Sequence, residues 1–482
     1  MPIDVSAYDL EADAIRRIPR ALAIRHDVLS LESDGNQITI AVPDLDDRDT
    51  IDRIRLATGM HVRALYAPRE EIRARLFDAY RDEAAILPAV RRNHNDEAPA
   101  VRTLEQLHRT SVDANASDIH IEPSKHGGRV RHRVDGILNE ILTLPPELHS
   151  HVVSRVKLLA GMDIADKRQP QDGRYVINVH GRSIDGRVSS MPTTAGEKLV
   201  IRLLDHAAQI PTLDELGMPQ SMLRRFRPIL RGPHGFVIVC GPTGSGKTTT
   251  LYAALSERDV STENLCTVED PVEVTVPGIA QVQINPRAGV TFATTVRAFL
   301  RQDPNVIMIG EMRDEETAGV AGAAALSGQL VLTSLHSNDA PTAIDRLLEL
   351  GVPRQTIAAG LTAVIAQRLV RKLCMNCREP FLAGMEFLQE FGIQQRAGAY
   401  RARGCRDCNG SGYAGRVALF ESLFVDADIR AAIAQGSTGV GIAALSRAKD
   451  YEPILTAGVE AVTAGRTSFE ELRRVLVVSS GR

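Results

Sequence analysis

The sequence predicts a multidomain α/β protein: a parallel-sheet core with helices on both faces, preceded by two small α/β or α+β modules. Three observations predict it. At 482 residues the chain is too long for one ordinary core, and such a length suggests about three domains. From about residue 232 onward, apolar runs alternate with helical patterns, as in successive βαβ units. The run Phe236, Val237, Ile238, Val239, Cys240 passes straight into a glycine-rich turn and then into a helical stretch, GPTGSGKTTTLY, the order of a buried parallel strand feeding a ligand loop.

Residues 1–90 form the first module. It is acidic, all its basic residues are arginine, and its segments 21–31, 37–42 and 49–58 alternate between helical and strand-like patterns. It carries no catalytic constellation, so docking to a partner and plain packing are both open. The polar, proline-flanked stretch at 91–100 reads as a linker. A second module covers residues 101–230. It opens with an amphipathic helix at 101–114, followed by strands at 118–122, 129–134, 174–179, 182–188 and 198–204, with a hairpin signal at Asp135 and Gly136. These strands have an arginine-rich face, which suits either solvent or an anion.

The core is placed at residues 231–370. Its glycine-rich turn fits G-x-x-x-x-G-K-[ST]. Gly241, Pro242, Thr243, Gly244, Ser245, Gly246, Lys247, Thr248 and Thr249 are candidate nucleotide-binding residues. The glycines let backbone N–H groups turn inward onto phosphate oxygens, Lys247 reaches the β- and γ-phosphates, and the Thr248 hydroxyl suits Mg²⁺. Further strands at 265–268, 306–309 and 330–334 end at Glu269, Glu311 and His336, which places these side chains at the same sheet edge as Lys247. Glu311 is the candidate for orienting the attacking water. Glu269 could hold Mg²⁺ through water or assist, and His336 could read the γ-phosphate. Thr291 and Asp314 are candidate caps for helices running to Gln302 and Ser327. Arg297 and Arg301 fall four apart on the first of these, either solvated or acting as arginine fingers.

Residues 371–415 hold Cys374-x-x-Cys377 and, after 27 residues, Cys405-x-x-Cys408. Two such knuckles suit a closed tetrahedral Zn²⁺ site. Cys240 and Cys266 read as core. Residues 416–482 are alanine-rich and read as helical. The start of the chain is acidic where a secretory leader would be basic, and no apolar run approaches the roughly 18 residues of a membrane span, so a cytosolic chain is expected. A net charge of −3 and an aromatic content of 4% count against a nucleic-acid motor.

With these residues in place, the chain resembles the secretion ATPase family of type II secretion and type IV pilus assembly, within the RecA/AAA-like P-loop group, over about residues 101–480. ASDIHIEP at 116–123 and KRQPQDGR at 167–174 resemble the family's second amino-terminal domain. GPTGSGKTTTLYA resembles its Walker A, EDPVE through RAFLR at 269–301 its aspartate box, IMIGEMRD at 307–314 its Walker B and TSLHSNDA at 333–340 its histidine box.

The resemblance implies homo-hexameric rings that hydrolyse ATP with Mg²⁺, carry a zinc module and turn a polytopic inner-membrane platform protein. It implies that Arg187 and Arg202 reach the nucleotide phosphates with Arg297 and Arg301, and that residues 1–90 dock on a single-span inner-membrane platform protein. The chain would then be cytoplasmic, peripherally associated with the inner membrane, with no nucleic-acid partner. The zinc module disfavours the retraction ATPases, and a single short amino-terminal module favours type II secretion over pilus assembly or DNA uptake. Where the family has Asp-[Ile/Val]-Arg, this chain has Asp185, Gly186 and Arg187, a flexible residue beside an expected finger.

Overall fold

The computed structural model describes residues 3–5, 8, 12–18, 22–23, 26–34, 36–79, 98–125, 127–205, 209–383, 388–391, 393, 398–448 and 451–476. The expected linker at 91–100 lies outside them up to residue 97. Its last three residues instead open the helix Ala98–Asp113, where Pro99 sits in a first turn that has no N–H bond to lose.

The chain forms two compact units: Met1–Asp205 with Leu373–Glu379 and Arg401–Gly415, and His206–Lys372 with Pro380–Tyr400 and Arg416–Arg482. In the first, a three-stranded sheet has the order Leu29–Asp34, Gln37–Val42, His61–Tyr66, antiparallel then parallel. The helix Arg48–Thr58 begins on the Asp47 side chain, which accepts Thr50 N–H, and stops at left-handed Gly59.

A six-stranded antiparallel sheet follows, ordered Ile137–Leu144, Gly127–Val134, Asp118–Ser124, Gly196–Leu204, Arg182–Thr193, Gln171–Val179. Asp135 and Gly136 both take positive φ, 49° and 82°, as a two-residue hairpin turn requires. Ile119, Ile121, Val130 and Ile201 pack with Leu104, Leu107, Val152 and Val156 of the helices Ala98–Asp113 and Pro146–Leu159. Arg174, Arg187, Arg202, Asp118 and Arg133 are successive cross-strand partners in one row, hence on one face.

The second unit is built on a seven-stranded sheet, ordered Ala280–Gln283, Leu265–Glu269, Val306–Ile309, Leu330–Leu335, Gly235–Cys240, Leu361–Leu373, Tyr413–Phe424. The first six run parallel. Successive residues of the central strands serve two cores. Ile238 and Cys240 pack with Ala321, Ile344 and Leu347 on one face, and Val237 and Val239 with Phe226, Leu251 and Tyr252 on the other. A strand buried on both faces is apolar at most positions.

The helical reading of 416–482 is corrected at its start. Tyr413–Phe424 is the outermost strand, with Leu423 in one core and neighbouring Phe424 in the other. The helices Ala427–Ala434, Gly439–Arg447, Ile454–Thr463 and Phe469–Val475 follow. The helix capped by Thr291 ends at Phe299, short of Gln302. Its last N–H groups turn to carbonyls three residues back, Arg301 to Ala298 and Gln302 to Phe299, which tightens the end as helix termini commonly do.

The helix Phe469–Val475 is held by Glu471, fully buried, which accepts the Arg371 N–H at 2.9 Å and its guanidinium at 2.8 Å and 2.9 Å, and also Arg474. Burial alone would raise the pKa of this carboxyl. The arginine hydrogen bonds outweigh it and leave the pKa below its ordinary value. Its contribution is therefore complete above the unfolded carboxylate pKa and is lost as pH falls through the depressed folded one. Glu471→Ala removes the buried carboxylate that accepts from Arg371 and Arg474 and is expected to cost about 3–5 kcal/mol, read as a lower urea midpoint for unfolding of the C-terminal helices; an unchanged midpoint would refute this account of their attachment.

Candidate active site

Register sets the site. Cys240 lies opposite Leu335, Ile309 opposite Thr333 and Val268 opposite Ile309. One residue past Leu335 is His336, two past Ile309 is Glu311, and one past Val268 is Glu269. Gly241 N–H donates to Leu335 O and Met312 N–H to Ser334 O, so the segments beyond the strands stay stitched together at the edge where the glycine-rich turn begins.

Within that turn Gly241, Gly244 and Gly246 have φ of 151°, 78° and 86°. A Cβ on Gly241 would stand 2.5 Å from Gln367 O, so only glycine fits there. The helix Lys247–Leu255 starts at Gly246 with no side-chain cap, leaving its first N–H groups for an anion. Ser245 Oγ is buried without a partner, and Lys247 Nζ donates to the turn's own carbonyls, Gly241 O at 2.9 Å and Pro242 O at 3.0 Å. Burial draws the Lys247 pKa below its ordinary value. Helix N–H groups without a side-chain cap, an orphaned hydroxyl and a cation on neutral carbonyls fit a nucleotide's phosphates. Thr248 lies half-buried in the first turn of the helix, where a hydroxyl ligand of Mg²⁺ belongs.

Glu311 is held on both oxygens, Oε1 at 2.8 Å from His336 Nε2 and Oε2 at 2.6 Å from the Arg313 guanidinium. Arg313 lies 3.9 Å from Asp270 on its other side. Burial raises the Glu311 pKa, but the Arg313 hydrogen bond and charge, with His336 and Lys247, bring it below the usual carboxylate value. Sequence reasoning missed Arg313. Its signal was position: two residues beyond Glu311 in an extended segment puts both side chains on one side.

Glu269 sits at the expected strand end, yet its carboxylate turns inward and is 2% exposed. Oε1 accepts from Thr267 Oγ1 (2.7 Å) and Gln281 Nε2 (3.1 Å), and Oε2 from the Tyr252 hydroxyl. With three donors filling it, this side chain braces the P-loop helix through Tyr252, and the geometry does not offer it to Mg²⁺.

Arg297 and Arg301 are exposed. Arg297 pairs with Glu316 at 2.6 Å, and Arg301 donates to Arg297 O at 2.8 Å. In the other unit, Arg187 and Arg202 are cross-strand partners, Arg202 bonded to Asp118 at 3.1 Å and Arg187 3.5 Å from Asp185. Gly186 lies between Tyr175 and Leu203 in mid-sheet, and a Cβ on it would stand 3.0 Å from Ile177. Pairing on both sides removes the freedom that a glycine beside Arg187 brings.

The Sγ atoms of Cys374, Cys377, Cys405 and Cys408 all lie within 4.8 Å of one another, with separations of 3.8 Å (Cys374 to Cys405) and 3.7 Å (Cys377 to Cys408 and Cys405 to Cys408). Thiolates about 2.3 Å from a tetrahedral ion stand about 3.8 Å apart, so this donor set fits Zn²⁺. Burial opposes ionisation of Cys408, but N–H groups of Cys405 and Gly412, each 3.2 Å from its sulfur, bring its pKa below the ordinary thiol value.

A family model described as type II/IV secretion system protein matches residues 93–474, and an MshEN domain model matches residues 1–86. The chain belongs to the type II/IV secretion system protein family. Type II secretion system protein HxcR of Pseudomonas aeruginosa is 46% identical over 380 residues, 79% of this chain and 78% of that protein. The type IV pilus assembly ATPase PilB of Myxococcus xanthus is 36% identical over 496 residues, 98% and 88%. The solved structure of the ATPase DotB of Legionella pneumophila, 20% identical with a TM-score of 0.59, covers 82% of this chain and 99% of that one, a likeness of fold. As a secretion and pilus ATPase relative, the protein is an ATP-hydrolysing enzyme built on a mixed α/β fold.

Two expectations follow. Removing the cation beside Glu311 raises the pKa of that carboxyl, so Arg313→Ala should move the acidic limb of the turnover profile to higher pH; an unmoved limb would show that Arg313 does not act on Glu311. Cys405→Ser should release zinc from the full-length protein, measured by elemental analysis, and a cysteine variant that keeps a full equivalent would exclude the four-thiol site.

Proposed function

We propose that this protein is the motor ATPase of a type II secretion system, hydrolysing ATP as a homo-hexamer to drive pseudopilus assembly and protein export. The observation that carries the reading is Glu311, an ionised carboxylate on the strand-end edge it shares with Lys247 and the P-loop. In this mechanism water attacks the γ-phosphorus of ATP and the β–γ bridging oxygen departs with ADP. Glu311 orients the water and takes up its proton, Lys247 leaves its carbonyls for the β- and γ-phosphates, and His336 reads the γ-phosphate. Thr248 would hold Mg²⁺, which would supply charge neutralisation at the phosphates. Arg187, Arg202, Arg297 and Arg301 stabilise the charge of the transition state, and the four cysteines hold a structural zinc.

Residues 1–90 dock on a single-span inner-membrane platform protein, and the ring works on a polytopic one, which places the enzyme in the cytoplasm against the inner membrane. Among the described residues no helix is long and apolar enough to cross a membrane, consistent with attachment through partners. A second reading, pilus assembly or DNA uptake, is favoured by one observation: the pilus relative matches 98% of the chain, first module included, whereas the secretion relative matches 79%.

Glu311→Gln should lower phosphate release by about 10²–10⁴-fold while binding of a non-hydrolysable ATP analogue persists. Unchanged release would mean that Glu311 does not position the water. Capture of the tagged full-length chain with detergent-solubilised membranes of the source cells should retain a single-span platform protein of a secretion system. Retention of pilus or competence components would move the protein to the second reading.

A further inference from the structure

The loop after His336 is held from behind by side chains outside the nucleotide motifs. Cys240 Sγ lies 3.4 Å from Asp339 O, Arg368 Nη2 donates to Asn338 O at 2.6 Å, and Ala340 N–H donates to Glu421 Oε1 at 2.7 Å. Glu421, on the outermost strand Tyr413–Phe424, is 2% exposed. Its second oxygen accepts the N–H of Ile454 at 2.8 Å, the first residue of the helix Ile454–Thr463, and the Tyr451 hydroxyl is bonded to it as well. One buried carboxylate thus joins a point four residues past His336 to the start of a helix more than a hundred residues later in the chain. A second tie runs alongside, with both oxygens of Asp345 accepting Gly439 N–H at 3.0 Å.

Stability alone does not account for a carboxylate here. Burying an ionisable group works against folding, and a well-packed apolar residue generally serves a core as well or better. What an apolar residue lacks is two acceptor atoms for two backbone N–H groups from separate segments. The neighbouring strand adds to the same backing. Arg368, itself buried, grips the loop, and the adjacent Gln367 accepts the Thr250 hydroxyl of the P-loop helix at 2.6 Å. The loop is therefore fixed to the P-loop side through Cys240 and Arg368 and to the C-terminal helices through Glu421.

We propose that Glu421 is a positioning residue for ATP hydrolysis: it holds the His336 loop against the start of Ile454–Thr463, so that the C-terminal helices follow the state of the nucleotide. The inference rests on the reading of His336 as the group that senses the γ-phosphate. A shift of His336 toward a γ-phosphate moves Ala340 N–H relative to Glu421 and passes to Ile454 through the same carboxylate, whose side chain is buried and bonded on both oxygens.

The test uses the full-length enzyme. Glu421→Gln keeps the volume but leaves only one acceptor atom, so one of the two N–H groups loses its partner. Expected are a kcat lowered by about tenfold, a KM for ATP within about twofold of wild type, and faster hydrogen exchange at residues 336–340 and 454–463. In wild type, ADP with beryllium fluoride should change exchange at 454–463, and that response should vanish in Glu421→Gln and in His336→Ala. No nucleotide response at 454–463 in wild type would overturn the proposal whether or not the variant folds. Unchanged kcat and exchange in Glu421→Gln would overturn it while leaving the role of His336 intact. Wild-type turnover in His336→Ala would overturn both.

Discussion

Parallel pairing of Gly235–Cys240 with Leu330–Leu335, with Cys240 opposite Leu335, is the constraint on which the rest of the catalytic unit depends. Every residue of both strands is buried, because helices cover the sheet on each side. A charge placed along either of these two strands would have to leave water without a partner, a cost of several kcal/mol, so ionisable groups gather at their ends, and the hydroxyls of Thr333 and Ser334 are accommodated by donating to Ile309 O and Gly310 O. Parallel running then brings the ends of four strands to one edge, and Lys247, Glu311 and His336 lie within a few residues of those ends. The same rule explains why the two cores need apolar residues at successive positions, Val239 for one and Cys240 for the other.

At that edge the charges are balanced internally, and the ways they are balanced differ in how easily they yield. Lys247 rests on two neutral carbonyls. Phosphate oxygens carry full negative charge, which adds Coulomb attraction to the hydrogen bonds that neutral carbonyls already accept from the cation, so exchange favours the ligand. Glu311 lies between Arg313 and His336, both about half exposed. The Arg313 ion pair, with its cation half exposed, is worth about 1 kcal/mol or less, which lets the carboxylate turn toward a water without a large penalty. Glu269 is the opposite case. Three donors in a buried pocket, one of them Tyr252 of the P-loop helix, make it a brace between strand and helix.

Periodicity and capping carried most of the fold. Val306–Ile309 was legible because four consecutive apolar residues ended at a glycine, and Glu315–Leu326 because Asp314 caps it. Tyr413–Phe424 was misread because VALFESLF at 417–424 is also compatible with a helical stripe, and only the neighbouring strand decides between the two. Leu361–Leu373 was passed over for a related reason: its Gln367, Arg368 and Arg371 break an apolar run, and their partners, Thr250, Asn338 and Glu471, lie far away in sequence. Within the site, the residue types at strand ends were readable. The directions of their side chains were not, so Glu269 could be placed at the edge while its inward turn onto Tyr252 stayed invisible. Glu421 gave no signal, since nothing local distinguishes a buried carboxylate from a surface one.

Two of the strands that local patterns failed to reveal, Leu361–Leu373 and Tyr413–Phe424, also carry the groups that back the site. Leu361–Leu373 runs directly into Cys374, and Tyr413–Phe424 begins five residues after Cys408. Between them lies an insertion that, left open, would give the outer strand no local reason to return to the sheet. Cys374 N–H donates to Gly412 O at 2.9 Å and Gly412 N–H to the Cys408 sulfur at 3.2 Å, so backbone bonds as well as thiols hold the two knuckles together. A metal bound there closes the insertion once for all the residues in it, and the entropy of closure grows only with the logarithm of loop length.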